Sequence, residues 1–492
     1  MRYDSSVATF HVENFGCRAT QADGAALERQ FETRGLARVP SAQADLVILN
    51  TCTVTNSADQ DARAAIRRIQ RQNPLAKIIV TGCYAQRAPA EIAALPGVTC
   101  VVGNSHKNQL AEIVLDKAVL HPGTFVPLAR LALSDQPATT DRQPALFVSD
   151  IFAHTELLAA PVFESGMAHS PQADDRTRPN LKVQDGCDNR CSFCVIPSVR
   201  GASRSLQLPE IIREVNALVA TGYRELVISG INLGRWGRDL AASRQPSAVS
   251  EFRKAHSGSR TPNFESLIRS ILAETQLEKL RISSVEPMDW TDDLIALVAS
   301  SPRLAKHAHV PLQSGSDAVL RRMHRKYRPW HYREKIEKIR AAMPTAAIGA
   351  DVMAGFPGET DAEFEATRRL IADLPFTYLH VFTYSARPGT PAAAMPNQVP
   401  VHVARERNKL LRDLASEKKL AFMRSFIGKQ LEAITLNVVS ATPDGEFTEA
   451  LTDNYQKLYL KGRHDPNRWM AAHIESINGG AFGGVVINNL AS

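Results

Sequence analysis

The stretch VQDGCDNRCSFCVIP, residues 183–197, carries three cysteines, Cys187, Cys191 and Cys194, in a C-x3-C-x2-C spacing directly after a predicted strand. Three thiolates at this spacing can hold three corners of a cubane iron–sulfur cluster and leave the fourth iron open to an exogenous group. A zinc site normally closes with four ligands, and no further cysteine or suitably spaced histidine follows at once. The spacing therefore favours a cluster with an open iron, and a zinc site or three incidental cysteines are the alternatives.

Alternating strand and helix patterns surround this stretch. Short apolar runs predict strands at residues 181–184, 225–229, 280–283, 307–311, 347–352 and 378–384. Helical periodicity separates these runs, as at 208–220 and 330–342. Successive βα units predict a partial or full α/β barrel, whose first strand leads into the cysteine loop. Residues 237–262, rich in Ser, Arg and Ala, interrupt the pattern as a surface-loop insertion would.

The N-terminal region predicts a second, smaller α/β unit with a parallel sheet. Predicted strands at 7–12, 46–49 and 77–80 alternate with predicted helices at 23–34 and 58–72. Cys17, Cys52 and Cys83 each follow the end of one of these strands. Because parallel sheets place ligands outside the carboxyl ends of their strands, we expect the three cysteine loops to converge.

Weaker patterns lie before and after the barrel. Residues 122–178 predict a linker carrying some strand structure, and the region beyond about 428 predicts a small β-module. The module is indicated by an Asp444–Gly445 turn and by alternating apolar residues, namely Leu431, Ile434, Leu436 and Val438. Its last segment, AFGGVV, lacks a clear strand pattern. The predicted domains are therefore 1–121, the linker 122–178, 179–425 and 426–492.

Composition bounds the class of protein. The chain has 492 residues, 44% of them hydrophobic and 22% charged, which excludes a disulfide-stapled mini-protein, wholesale disorder and a fibrous repeat. No apolar run approaches the ~18–20 residues of a membrane span, and the N-terminus lacks the layout of a secretory signal. We therefore expect a soluble, cytoplasmic protein that does not act in a membrane. The net charge of +7 is compatible with a polyanionic partner but is weak evidence for one.

The central triplet, with Phe193 before its last cysteine, resembles the signature of radical S-adenosylmethionine enzymes. The resemblance implies that the open iron of a [4Fe–4S] cluster binds S-adenosylmethionine. Further segments resemble the cofactor-contacting parts of that superfamily: SGINLG at 229–234, the end of the third barrel strand and GADVMAGFPGE at 349–359. The residues that the resemblance implies as cofactor contacts are Gly230, Asn232, Ser284, Glu286, Gln313 and Asp351.

The outer cysteines, in NFGC, NTC and TGCYAQ, resemble the N-terminal domain of methylthiotransferases. The resemblance implies that Cys17, Cys52 and Cys83 hold a second [4Fe–4S] cluster, which presents the sulfur to be delivered. Small buried cysteines are the alternative for this triplet. Cys100 has no partner at ligand spacing and is predicted to be a core residue.

The resemblance to methylthiotransferases extends over most of the chain. EALTDNYQKLYL at 449–460 is similar to the TRAM domain, which contacts RNA in that family. Several segments most resemble the enzymes that act on threonylcarbamoyladenosine in tRNA: VQDGC, GINLGRWGRDL, RISSVEP and LRRMHRKYRPWHY. Two departures, the 237–262 insertion and the glycine-rich AFGGVV, put RNA docking by the tail in question but not the chemistry.

A basic stretch from 321 to 340 predicts a contact with RNA phosphates. Its cations include Arg321, Arg322, Arg325, Lys326 and Arg328, and the aromatic residues Tyr327, Trp330 and Tyr332 lie among them. Aromatic rings beside cations suit stacking on an unpaired RNA loop. A second basic stretch runs from 405 to 429. The alternative for both is a solvated helix face.

The resemblance implies 2-methylthiolation of threonylcarbamoyladenosine next to the tRNA anticodon. One S-adenosylmethionine would donate a methyl group, and a second would yield the radical that removes hydrogen from C2 of the adenine. A reductant of the flavodoxin or ferredoxin type would supply electrons, and the sulfur donor stays unknown. The alternatives are isopentenyladenosine in tRNA, an aspartate of a ribosomal protein, and a non-catalytic zinc-containing RNA-binding protein.

Overall fold

The computed structural model describes residues 8–116, 144–154, 157, 177–242, 262–442 and 445–487. They form two compact units. The first unit contains the described residues up to 157 together with Asp185–Asp188 and Cys194–Arg204. The second contains the remaining described residues. No helix among the described residues is both long and apolar enough to cross a membrane.

The first unit is built on a six-stranded parallel sheet in the order β2-β1-β3-β4-β5-β6. Its strands are β1 (Thr9–Asn14), β2 (Ala37–Arg38), β3 (Leu46–Thr51), β4 (Lys77–Gly82), β5 (Val98–Gly103) and β6 (Ala145–Phe147). The sheet confirms the predicted N-terminal fold. It also adds β5, which sequence reasoning missed, and β6, which comes from the predicted 122–178 linker. The rest of that linker, except residues 144–154, 157, 177 and 178, lies outside the described residues.

Apolar side chains cover both faces of this sheet. All of β3, LVILNT, is buried, with Leu46 and Ile48 in one core and Val47 and Leu49 in the other, because successive strand residues point to opposite faces. Cys100 is fully buried in the first of these cores, as predicted. The helices of this unit are Arg18–Glu32, Asn56–Gln72, Cys83–Arg87, Pro89–Ala93, Leu110–Asp116 and Ile196–Arg200.

The second unit contains the central α/β region. Its strands are β7 (Asn180–Asp185), β8 (Arg204–Ser205), β9 (Glu225–Gly230), β10 (Lys279–Ile282), β11 (His307–His309), β12 (Ala347–Ala354) and β13 (Tyr378–Thr383). They pair as β10-β9-β7-β8 and β11-β12-β13. Parallel bridges from Leu280 to Leu304 and from Ser284 to His309 join the two sheets. Six parallel strands therefore follow one another in chain order, which confirms the predicted partial barrel.

Helices separate the central strands as the periodicity predicts. They are Leu208–Ala220, Arg238–Ala242, Phe264–Glu274, Asp292–Ser300, Asp317–Arg322, Pro329–Ala342, Asp361–Asp373 and Val401–Arg424. Local sequence starts several of them: Thr291, Ser316 and Thr360 each accept a backbone N–H of the first turn through their side-chain hydroxyl. Of the predicted 237–262 insertion, residues 243–261 lie outside the described residues.

A closed five-stranded β-barrel ends the chain, which confirms the predicted β-module. Its strands are β14 (Gln430–Thr442), β15 (Gly445–Thr452), β16 (Lys457–Lys461), β17 (Trp469–Asn478) and β18 (Ala481–Val486). The predicted alternation in β14 is only partly right. Ile434 is buried, but Val438 is 43% exposed because the pairing with β15 shifts register between Thr435 and Val439.

The AFGGVV segment is the closing strand β18, so the expectation that it lacks strand structure is wrong. A side chain at Gly484 would lie 2.5 Å from the His473 carbonyl oxygen of β17. A side chain at Gly483 would lie 2.4 Å from the Ser476 Oγ. The glycines therefore mark a close approach of two strands rather than a break in the sheet.

The turn between β15 and β16 packs against the amino ends of the central strands. Arg281 donates to the Asp453 carbonyl oxygen at 2.9 Å, and Asn454 donates to the Thr345 carbonyl oxygen at 3.0 Å. The Tyr455 ring lies 4.7 Å from the His307 ring. Part of the segment that resembles an RNA-contacting domain is therefore used inside the molecule.

Candidate functional site

The first cysteine triplet lies at the carboxyl ends of three neighbouring strands. Cys17 precedes helix Arg18–Glu32, Cys52 directly follows β3, and Cys83 opens the helix after β4. Cys52 and Cys83 are buried, and Cys17 is exposed. A Cβ on Gly16 would lie 2.9 Å from the Cys52 Sγ, so the chain beside Cys17 runs against Cys52. The fold thus places the first triplet at one edge of the sheet.

The electrostatics of these thiols suit a metal centre. Burial first, and then the neighbouring Cys83 and Cys17, raise the pKa of Cys52 to about 12. Without a cation the Cys52 thiol therefore holds its proton at neutral pH, and metal binding would release it. A donor set made only of thiol sulfur fits an iron–sulfur cluster.

Buried charges lie directly behind Cys83. Arg200 donates from Nε to the Cys83 Sγ at 3.3 Å, from Nη1 to both Asp185 oxygens at 2.9 and 3.1 Å, and from Nη2 to Asp23 at 3.0 Å. Lys107 Nζ also donates to Asp23, at 3.1 Å. Burial alone would lower the pKa of Arg200, but Asp185, Cys83 and Asp23 raise it well above its ordinary value. The guanidinium is therefore a permanent positive charge beside the sulfur.

Sequence reasoning missed this network. Asp23 and Lys107 are far apart in the chain, and only the folded sheet brings them together. Asp185 and Arg200, however, flank the central cysteines closely, in VQDGC and SVRG. The available signal was that both charged residues adjoin buried elements. Because charged residues are rarely buried without partners, this position could have predicted that Asp185 and Arg200 pair with each other.

The central triplet lies in the loop 186–195, between β7 and the helix Ile196–Arg200, and its cysteines are partly exposed. Arg325 Nη1 donates to the Cys191 Sγ at 3.2 Å, and the Ile196 N–H donates to the Cys194 Sγ at 3.5 Å. The Cys187 N–H donates to the Gly201 carbonyl oxygen at 3.1 Å. Each cysteine of the loop is thus held by a defined contact.

Arg325 also forms a short hydrogen bond with Glu286, one of the predicted cofactor contacts. Burial raises the pKa of Glu286, and the adjacent Arg325 acts in the opposite direction. The Arg325 side chain is 5% exposed. A buried arginine therefore donates to one sulfur of the central triplet, as Arg200 does to one sulfur of the first.

The other predicted cofactor contacts lie at or near the carboxyl ends of the barrel strands. The Asn232 N–H donates to Gln184 Oε1 at 2.7 Å, and a Cβ on Gly230 would lie 2.9 Å from the same oxygen. Gln313 follows β11 with a left-handed φ of 64° and bridges to Val352 of β12. Gln184 is a polar strand-end residue that sequence reasoning missed.

A polar group on three neighbouring strands includes two further residues that sequence reasoning missed. Ligand atoms of His309, Asp351 and His380 all lie within 4.8 Å of one another. His309 Nε2 lies 3.3 Å from an Asp351 oxygen, and its Nδ1 lies 3.0 Å from the hydroxyl of Ser284. Two predicted cofactor contacts, Ser284 and Asp351, thus share a histidine. The available signals were the HAH sequence of β11 and the histidine within YLHVFT of β13.

Comparison with known proteins decides the family. A model described as "Uncharacterized protein family UPF0004" matches residues 9–103, and a model of the radical SAM superfamily matches 181–371. The chain is 36% identical to threonylcarbamoyladenosine tRNA methylthiotransferase MtaB of Bacillus subtilis (strain 168), over 93% of this chain and 92% of that one. The chain belongs to the radical SAM methylthiotransferase family.

Other relatives of this methylthiotransferase carry two different names. The enzyme of Rickettsia prowazekii (strain Madrid E), also a threonylcarbamoyladenosine tRNA methylthiotransferase MtaB, is 35% identical over 87% of each chain. A tRNA-2-methylthio-N(6)-dimethylallyladenosine synthase of Novosphingobium aromaticivorans is 34% identical, also over 87% of each chain. The family is therefore clear, and the name of the modified nucleoside differs among its members.

The basic stretch of this methylthiotransferase divides into surface and interior residues. Arg321 and Lys326 are exposed, and Arg321 pairs with Asp317 at 2.9 Å. The less exposed Arg322 pairs with Glu363 at 2.8 Å, and Arg328 pairs with Asp317 at 3.1 Å. The prediction that Arg325 contacts RNA phosphate at the surface is wrong, because its guanidinium is buried and pairs with Glu286 and Cys191.

The aromatic residues of the stretch divide in the same way. Tyr327 and Tyr332 are buried, and their hydroxyls donate to backbone carbonyls of residues 310–312. The expectation that these two rings stack on RNA is therefore wrong. Trp330 is 55% exposed and stays available on the surface.

Proposed function

We propose that this methylthiotransferase converts N6-threonylcarbamoyladenosine at position 37 of the tRNA anticodon loop to its 2-methylthio derivative. The observation that carries the proposal is the pair of separate cysteine triplets, one at the edge of the N-terminal sheet and one in the loop after β7. The similarity to the Bacillus subtilis enzyme, which extends over nearly the whole chain, supports the choice of nucleoside.

In this proposal each triplet holds one [4Fe–4S] cluster, through Cys17, Cys52 and Cys83 and through Cys187, Cys191 and Cys194. When bound, the clusters and S-adenosylmethionine supply radical generation, sulfur and the methyl group. The protein's own contribution is to hold the thiolates and to order the loop around them. Arg325 does this at Cys191, and Arg200 does it at Cys83.

The residues proposed to contact S-adenosylmethionine are Gly230, Asn232, Ser284, Glu286, Gln313 and Asp351. Support comes from their positions at or near the carboxyl ends of parallel strands, where barrel enzymes place their ligands. The contact between Asn232 and Gln184 orders the backbone after β9, so that this loop is preorganised.

The proposed partner is tRNA, approached through Arg321, Lys326 and Trp330 at the surface, with Arg322 and Arg328 able to exchange their carboxylate partners for phosphate. A flavodoxin-like or ferredoxin-like protein is the proposed reductant, and the cytoplasm is the proposed location. The proposed domains are 1–121, 179–425 and 426–492, with 122–178 as a linker that also contributes the strand β6 (Ala145–Phe147) to the N-terminal sheet.

The decisive experiment is a nucleoside digest of tRNA from a strain that lacks the gene. We expect loss of the 2-methylthio derivative of threonylcarbamoyladenosine, accumulation of the unmodified parent, and restoration by the intact gene. Loss of 2-methylthio-isopentenyladenosine instead would support the second candidate, which the Novosphingobium relative favours. An unchanged digest would contradict both tRNA functions and direct attention to a ribosomal protein.

The cofactor content separates an enzyme from a binding protein. Anaerobically purified protein is expected to be brown and to contain about eight irons per chain, as two cubane clusters require. A colourless protein with zinc would contradict the proposed chemistry.

A further inference from the structure

The sulfur of Cys83 accepts two N–H donors that come from different parts of the first unit. Arg200 Nε lies 3.3 Å from it, and Asn104 Nδ2 lies 3.5 Å from it. Both distances are within the range of hydrogen bonds to sulfur. Cys17, by comparison, has a hydroxyl contact with Thr20 at 3.6 Å, and Cys52 has a backbone hydrogen bond from Val54. The structure therefore surrounds one sulfur of the first triplet with directed donors, one of them charged.

The direction of the Arg200 donor is fixed by its other contacts. Both Asp185 oxygens accept from Nη1 and one Asp23 oxygen accepts from Nη2, so the planar guanidinium has little freedom to rotate. The side chains of Arg200 and Asp23 are 2% and 1% exposed. Charge interactions at such a buried site are screened far less than at the surface.

Asn104 connects the second donor to the same short helix. Its Nδ2 also donates to the Val199 carbonyl oxygen at 2.8 Å, one residue before Arg200. The two donors are thus held by neighbouring parts of one helix, Ile196–Arg200. A change of either donor is expected to act on the same sulfur.

We infer that Arg200 is a positioning residue for the N-terminal cluster, which stabilises the Cys83 thiolate and raises the reduction potential of that cluster. The inference rests on the proposed function to the extent that the first triplet holds a [4Fe–4S] cluster. Hydrogen bonds to the sulfurs and nearby positive charge stabilise the more negative, reduced form. Asn104 has the same role with a weaker, uncharged donor.

The test isolates the N-terminal cluster by the substitutions Cys187→Ala, Cys191→Ala and Cys194→Ala in the full chain. In this parent, dithionite supplies one electron per cluster, and the reduced cluster is followed by electron paramagnetic resonance in an anaerobic redox titration. Arg200→Gln, Arg200→Lys and Asn104→Ala are then compared with the parent for midpoint potential and iron content.

We expect Arg200→Gln to shift the midpoint potential to more negative values by the largest amount. Arg200→Lys, which keeps the charge but not the planar fork, is expected to shift the potential less, and Asn104→Ala is expected to shift it in the same direction. Arg87→Gln is the matched control, because Arg87 is also a largely buried arginine of this unit, but it donates to oxygens, of Asp59 at 3.0 Å and of Thr53 at 2.8 Å, rather than to a cysteine sulfur. Its potential is expected to shift less than that of Arg200→Gln, because no hydrogen bond to a sulfur is lost.

An unchanged potential in Arg200→Lys and Asn104→Ala, with iron retained, would overturn the inference. If Arg200→Gln fails to fold, these two variants decide alone. A parent that binds no iron would overturn both the inference and the proposed N-terminal cluster. Neither result depends on tRNA, so an error in the proposed nucleoside leaves this test unaffected.

Discussion

The two cysteine triplets bring three thiols together by different routes. The first is assembled from three strand ends that are separated in the sequence by whole βα units, and two of its cysteines are buried. The second lies within one loop, and its cysteines are partly exposed. Each has a buried arginine on one sulfur, Arg200 at 3.3 Å and Arg325 at 3.2 Å. The first triplet therefore depends on the fold of the sheet, whereas the second is encoded locally.

The largest expected effect separates the triplets by function. Replacing Cys17, Cys52 and Cys83 by alanine should leave reductive cleavage of S-adenosylmethionine intact and abolish methylthiolation of tRNA. Replacing the central triplet should abolish both. Mass spectrometry of 5′-deoxyadenosine and of the tRNA nucleosides measures the two activities, and methylthiolation without the first triplet would contradict the proposed division.

A second prediction tests whether the first triplet depends on the backbone around it. Gly16 has a φ of +102°, and a Cβ there would lie 2.5 Å from the Cys52 Cβ. Gly16→Ala should therefore lower the iron content from about eight to about four per chain, while the central cluster stays.

Gly35→Ala is the matched control for this prediction. Gly35 also has a positive φ, of +82°, but no atom lies within 4 Å of its added Cβ. It should keep both clusters. Equal iron contents in the two variants would contradict the prediction, because contact with Cys52 would then not determine whether the first cluster binds.

Replacing Arg325, the arginine beside the central triplet, is expected to have a smaller effect on the protein than loss of a triplet. Arg325→Gln leaves Glu286 without its ion pair and Cys191 without its charged donor, which should lower the free energy of unfolding by about 1–3 kcal/mol. Urea unfolding of the apo protein measures this difference. Arg321→Gln also removes an ion pair, with Asp317 at 2.9 Å, but its side chain is 61% exposed, so stability should change by less than about 1 kcal/mol. A similar loss in both variants would contradict the buried role.

The smallest expected effect concerns Cys100, the cysteine outside both triplets. Burial raises its pKa to about 12 from an ordinary value of 9.0. Between these two values the unfolded chain loses the thiol proton and the folded chain keeps it, so stability falls as pH rises. The slope is about 1.4 kcal/mol per pH unit for one group.

Urea unfolding at pH 8 and pH 10 tests this prediction. The difference between the intact protein and Cys100→Ala should shrink at the higher pH, because only the intact protein carries this penalty. A difference that is independent of pH would show that Cys100 is not buried as a neutral thiol.

The locally encoded parts of the molecule were predictable from sequence. The central triplet, the strands around it and the helix at 208–220 follow from spacing and periodicity, and the helix bounds match the structure. The convergence of the first triplet was also predictable, because parallel strands share one edge.

Long-range packing accounts for what the sequence did not reveal. Arg325, Tyr327 and Tyr332 have the composition of an RNA-binding surface, yet their side chains turn inward onto Cys191 and onto backbone carbonyls. Charge and aromaticity in a short window do not report burial. Likewise, AFGGVV is a strand because β17 approaches it closely, and only the partner strand contains that information.

The turn between β15 and β16 has a consequence for how the chain is divided. It brings Asp453 and Tyr455 onto Arg281, which forms a fully buried ion pair with Glu225. The C-terminal barrel thus covers the amino ends of the central strands. A boundary near residue 426 therefore divides the sequence but does not separate two independent domains. Exchanging the C-terminal barrel between relatives would require the residues that it contacts in the central barrel to be exchanged with it.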